Sequence, residues 1–274
     1  MTLVQLLICG GIILAGYALM QWPSGLLRKT GVLFFCGASA LGVYYLSGQW
    51  WLGFIVLVGW VLFPVSELIY ILRKLRVPRD RILEVVPRAP EQFEELHGLT
   101  HDLAQLGFRP VEDCEWYSPM HTQFYRLFVH ESEPYHAGLS YIYNEQFGFH
   151  FVSFSSQDKS GCVWLTWDYP LTYGLKMPPD VALFRALDCE TASDLLEQHK
   201  EFLAINNVEG GLVPTPVSAE AARARLDLAL RKQLDYNLHE GILSPERISQ
   251  ESFRYSWRGT LYVTSQVLRD LVRL

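Results

Sequence analysis

Between Gly31 and Ser66 the chain carries no charged residue, and this 36-residue run is closed by Arg28-Lys29 on one side and by Arg73-Lys74-Leu75-Arg76 on the other. As one helix it would extend about 54 Å against a bilayer hydrocarbon core of about 30 Å, so it has to fold back on itself. The break falls at Ser47-Gly48-Gln49, which predicts helices over about 31–46 and 50–72. Trp50 and Trp51 on one helix and Tyr44 and Tyr45 on the other then mark the level of an interfacial aromatic belt.

A second apolar segment, Thr2 to Met20, precedes the run. No Lys or Arg stands before it and Tyr17 to Pro23 lacks a small-residue cleavage pattern, so it reads as a retained helix rather than a secretory signal. Cationic residues at the ends of membrane spans favour the cytoplasm. The membrane-proximal basic residues Arg28, Lys29, Arg73, Lys74 and Arg76 share one side if the long run is a hairpin. The expected topology is a multi-pass protein of the cell (inner) membrane, with the N-terminus outside and everything after Leu72 cytoplasmic. Five cysteines, Cys9, Cys36, Cys114, Cys162 and Cys189, form no CxxC and no paired spacing. That fits a reducing compartment and gives no thiolate zinc site.

Charge divides the chain. From Ala89 onward there are fifteen Lys and Arg against twenty-six Asp and Glu, whereas residues 73–88 carry six cations and two acids. An acidic domain is a poor match for a phosphate backbone, so nucleic acid is not expected as a partner. The basic collar suits anionic lipid headgroups. The lipid bilayer is therefore one expected partner, and a second protein or another copy of this chain is the other.

Three regions follow: a transmembrane anchor over 1–72, a basic juxtamembrane connector over 73–88 with one strand near Ile82 to Val86, and a soluble domain over 89–274. In the soluble part Pro90, Glu91, Glu94 and Glu95 open a helix predicted to run to Leu106, capped by Gly107. Short aromatic and β-branched segments come next, at about 108–116, 122–131, 136–143, 147–155 and 161–168. The turns between them, such as Ser118-Pro119 and Asn144-Glu145-Gln146, are short, which favours an antiparallel meander. Phe147, Phe149 and Phe151 alternate with His150, Val152 and Phe154, so both faces of this strand are apolar, and the sheet must be covered on both sides or enclose a pocket. After a piece at 181–186, either helical or extended, helices are predicted over 192–206, with Thr191 or Ser193 as cap, over 218–239, and over 260–271, the last after an extended 252–257. The fold class is a membrane-anchored α+β protein, with three N-terminal transmembrane helices and a cytoplasmic domain built on a meander of about five strands flanked by helices.

Chemistry-bearing patterns are few. His97 and His101 stand four apart on a predicted helix, a spacing that lets two imidazoles share one metal ion, although Gly98 replaces the glutamate of a zinc-protease motif and no third ligand is evident. Arg126, His150 and Asp168 lie on neighbouring strands and would form an anion-binding or acid/base cluster if the sheet brought them together. No GxSxG and no phosphate-cradling glycine loop occurs, and no catalytic residue or cofactor is expected. Glu67 is the one ionisable residue of the uncharged region's far end, close enough to the interface to pair with Arg28 or Lys29. Gly11, Ala15, Ala38 and Gly42 offer small-residue contacts between spans. The expected function is a cytoplasmic protein- or ligand-binding module on a membrane anchor. The alternative is a membrane-bound hydrolase working near the cytoplasmic bilayer surface, metal-dependent through His97 and His101.

Overall fold

The computed structural model describes residues 2–87, 89–91, 93–118, 120–171, 174–214, 217–245 and 252–273; Arg88 of the basic collar and Pro119 of the expected turn lie outside them. The chain divides into two compact units, one of residues up to Leu75 together with those from Thr260 onward, the other Arg76–Gly259.

The first unit contains α1 (Leu3–Met20), α2 (Gly25–Ser47) and α3 (Trp50–Lys74), each long and apolar enough to cross a membrane. Thr2 and Gln5 close the start of α1 as a capping box, with Thr2 N–H donating to Gln5 Oε1 at 2.7 Å. The turn between α2 and α3 is made by Gly48, whose φ of +67° only glycine adopts without strain and whose N–H returns to the Tyr44 carbonyl at 2.8 Å. Helix α2 starts earlier than expected and takes Arg28 and Lys29 into its opening turns. Close packing uses glycines other than those expected. A Cβ added at Gly31 would stand 2.6 Å from the Gly16 carbonyl oxygen, and one at Gly53 would stand 2.8 Å from the Ala40 carbonyl oxygen. Gly11 and Gly42 have nothing within 4 Å of such a Cβ, while Ala38 is buried. A helical repeat of 3.6 residues decides which glycine of a cluster reaches the neighbour, and composition does not. Trp60 Nε1–H donates to Ser39 Oγ at 2.8 Å, a polar link between α2 and α3.

In the second unit β1 (Arg76–Pro78) and β2 (Glu84–Val85) come first, so the expected connector contributes to two sheets. Helix α4 (Leu96–Gln105) starts six residues later than expected. Ahead of it the Pro90 carbonyl accepts the Phe93 N–H at 3.1 Å, and Phe93 is sunk into the core, where its ring stacks on Tyr141 at 4.5 Å. The strands β3 (Phe108–Tyr117), β4 (Thr122–His130), β5 (His136–Tyr143), β6 (Gly148–Gln157) and β7 (Val163–Trp167) pair antiparallel in chain order. Strand β2 extends this sheet beyond β3, and β8 (Val181–Arg185) lies parallel to β7 at the other edge. The connection from Asp168 to Asp180 is long enough for the crossover that a parallel neighbour requires. The remaining elements are α5 (Ala192–Ile205), α6 (Ala219–His239), β9 (Leu243–Pro245), β10 (Ser252–Tyr255) and α7 (Trp257–Arg273). Strand β10 joins β1 and β9 in a second, three-stranded sheet.

Helices cover both faces of the large sheet. Phe124, Phe128, Leu139, Val152 and Phe154 form one face and pack with Leu103 of α4 and Leu195 and Leu203 of α5. Burying one phenylalanine of this kind is worth about 2–3 kcal/mol. The opposite face carries Cys114, Trp116, Tyr125 and Leu127 against Ala222 and Leu226 of α6. A bulge between Pro110 and Glu112 makes the division possible: it shifts the register of β3, so that Phe108 points to the first face and Cys114 and Trp116 to the second.

Candidate functional site

The residues singled out by sequence are dispersed. His97 and His101 both lie on the exposed side of α4, where His101 Nε2 meets Gln105 Nε2 at 2.9 Å. Among the described residues no three His, Cys, Asp or Glu side chains are grouped to hold a metal ion. Arg126 is half-buried beneath α4, with Nε and Nη2 donating to Asp113 Oδ1 and Oδ2 at 2.8 and 2.6 Å and Nη1 donating to Thr100 Oγ1 at 3.1 Å. Its partner Asp113 is directly opposite in register, so the ion pair is a cross-strand brace. His150 stacks on Phe93 at 5.5 Å. Asp168 continues the β6 ladder with its side chain: Oδ1 accepts the Val152 N–H at 2.6 Å, and burial raises its carboxyl above the ordinary value, against the pull of that hydrogen bond and of nearby His150. Thus His150 and Asp168 are neighbours and Arg126 is engaged elsewhere. In the collar, Lys74 Nζ lies 4.3 Å from the centre of the Tyr70 ring, Arg28 and Lys29 are exposed, and Arg76 pairs in register with Arg254. Glu67 is exposed and makes no ion pair among the described residues.

One constellation looks catalytic and is sealed. His199 of α5 shares hydrogen bonds with Ser156 Oγ through Nε2 and with Thr166 Oγ1 through Nδ1, each 2.9 Å long. Serine, threonine and histidine are all fully buried, and burial pushes the imidazole down to about 4. With no path to solvent, the chain of hydrogen bonds joins α5 to β6 and β7 and satisfies core polar groups.

The site that sequence reasoning missed is built around Arg81. This residue stands three positions after β1 and three before β2, and both strands are tied into ladders, β1 to β10 and β2 to β3, so the intervening loop is held at each end. Its guanidinium lies over the Trp116 ring, with the carbon 5.2 Å from the ring centre. Nε is buried without a hydrogen-bond partner, and Arg81 forms no ion pair among the described residues. Burial lowers its basicity from the ordinary 12.5, while the Tyr125 and Tyr255 hydroxyls oppose the shift. The same surroundings act on those neighbours: burial pushes Tyr125 above the usual phenol range and Tyr255 up to about 12. Burial, then Arg81 itself, lowers His121. The side chain borders a cavity of about 450 Å³ whose walls include Arg79, Ile82 and Phe253 on one side and Arg231, Leu234 and Leu238 of α6 on the other. Asp80 and Asp235 stand in the same lining.

A desolvated guanidinium is costly unless charge or hydrogen bonds compensate it, and stacking on an indole returns only part of that cost. The planar fork of arginine matches oxyanions with two parallel N–H donors. Sequence alone hid this, because Arg81 is one of six cations in the collar and what distinguishes it, Trp116, Tyr125 and Tyr255, lies far along the chain. A second cavity, of about 550 Å³, lies beside Asp188, Glu190, Asp194 and Glu197 where β8 leads into α5. No family model matches the chain, and no curated protein or solved structure is similar to it.

Proposed function

We propose that this chain is a membrane-anchored binding module, whose spans α1–α3 sit in the cell (inner) membrane with the N-terminus outside, and whose cytoplasmic α+β domain holds a small anionic ligand at Arg81. The observation that carries the ligand is a guanidinium stacked on Trp116, buried at Nε, free of any carboxylate partner among the described residues and bordering a 450 Å³ cavity. That volume is within the range of small-molecule sites, about 300–1,000 Å³. Orientation is supported by the hairpin of α2 and α3, which brings Arg28 and Lys29 to the same end as Arg73 and Lys74. Binding rather than turnover is favoured because, of the two serine–histidine contacts among the described residues, the 2.9 Å pair Ser156–His199 is closed to solvent and the 3.4 Å pair Ser118–His121 belongs to a turn that Ser118 Oγ ties to the His121 backbone. Titration of the full chain in neutral detergent with phosphate, citrate and glutamate, followed calorimetrically, tests the ligand class. Saturable heat with at least one anion, weakened in Arg81→Gln, is the expected result, and no heat with any of them would refute the proposal.

A further inference from the structure

Resting on the anion-binding reading above, we infer that the group held in the Arg81 cavity is the phosphate ester of a phospholipid headgroup, taken from the bilayer that the chain spans. The lining divides into two chemistries. Arg79, Arg81 and Arg231 offer guanidinium groups, whereas Ile82, Leu234 and Phe253 are apolar. A bare oxyanion would leave the apolar wall unused and most of the 450 Å³ unfilled. An anion joined to a glycerol and the first methylenes of an acyl chain meets both walls. Arg231 is bound to Asp227 at 3.0 Å, and Arg81, whose Nε is buried without a hydrogen-bond partner, is the principal reader of the phosphate. Asp80 and Asp235 in the same lining oppose a ligand of several negative charges, so the match is a singly charged phosphodiester rather than a polyphosphate.

Chain connectivity names the source. Arg81 follows Lys74, the last residue of α3, by seven residues. Seven residues of extended chain reach at most about 25 Å, an upper bound that the covalent tether sets between Arg81 and the last residue of that helix. Phosphate esters are also free solutes, and the experiment has to separate the two sources.

The full chain in neutral maltoside detergent is titrated with soluble dihexanoyl phosphatidylglycerol, with glycerol phosphate and with inorganic phosphate, for wild type, Arg81→Gln, Arg81→Lys and Arg231→Gln. The short-chain lipid is expected to bind at one site, about tenfold or more tighter than either free phosphate, and Arg81→Gln to weaken it about tenfold or more. Arg81→Lys keeps the charge and loses the fork, and is expected to weaken lipid binding as well. Arg231→Gln, on the surface of α6, is expected to cost less and keeps the test decisive if the Arg81 variants fail to fold. Glycerol phosphate binding as tightly as the lipid would overturn the bilayer source while the anion reading stands. Arg81-dependent binding of citrate or glutamate with none of phosphate or lipid would overturn the phosphate ester, and silence with every anion would remove both readings.

Discussion

Arg126 and Asp113 face each other across β4 and β3 as a two-pronged ion pair, 2.8 and 2.6 Å, and both side chains are more than four-fifths withdrawn from water. The pair sits in the same row of the sheet as Leu139 and Val152, so it is a charged insertion into an apolar face. Removing one member leaves the other charge stranded beneath α4. Asp113→Asn or Arg126→Met alone is expected to cost about 3 kcal/mol, and the double replacement Asp113→Leu with Arg126→Met to cost less than either single change. Urea unfolding of the full chain in micelles, read by tryptophan fluorescence, gives the comparison; equal costs for single and double replacements would show the pair is not coupled.

Acid should weaken the sheet-bearing unit before its carboxylates titrate. Burial lowers His199 to about 4 and His136 to about 3 from an ordinary 6.5. A folded value below the unfolded one means the unfolded chain binds more protons between them, so stability is fully present above about pH 6.5 and is lost as pH falls through that window toward 4. Urea midpoints measured from pH 7.5 to 4.5 should fall, and the fall should be shallower in His199→Gln; an unchanged slope in that variant would assign the effect elsewhere.

Gly31→Val should loosen the span bundle. The added carbon meets the Gly16 carbonyl and Met20 within 2.7 Å, so α1 and α2 must separate. A cost of about 1–3 kcal/mol is expected. Gly11→Val, with open space at the same point, serves as control. Recovery of monodisperse protein after graded heating in detergent reads the difference, and equal survival of the two variants would contradict the crossing.

Cys114 should resist alkylation in the folded chain. Its thiol is fully buried, and burial, reinforced by Glu112, pushes it up to about 12. Iodoacetamide at pH 8 followed by peptide mass spectrometry should modify Cys162 and Cys189 first, both part-exposed, and Cys114 only after unfolding.

Orientation has its own readout. A reporter fused after Leu274 should behave as cytoplasmic, and a membrane-impermeant maleimide should reach Gln49→Cys from outside. Labelling with the opposite sidedness would invert the proposed topology.

Local chemistry was legible where neighbours along the chain decide it. The glycine break at Gly48, the cap at Thr191 and the strand from His136 to Tyr143 all follow from adjacent residues. What sequence did not show depends on distant partners. Helix α4 begins late because Phe93 finds Tyr141 and Phe124. Strand β8 is parallel because of where its crossover lands. Arg126 was expected to join His150 and Asp168, and it met Asp113 instead, since register places that carboxylate directly opposite. In the sequence Arg81 is one of six cations between residues 73 and 88, and only the approach of Trp116 gives it another character.

The return of β10 to β1 has a mechanical meaning. Arg76, Val77 and Pro78 pair with Arg254, Phe253 and Ser252, so the domain's entry and exit strands are zipped side by side. Tension applied between the end of α3 and the start of α7 would load those three pairs in the first instance and bypass the seven-stranded sheet. The short ladder is the fuse of the second unit. A pull strong enough to open it would release the loop that carries Arg81 while leaving the large core intact.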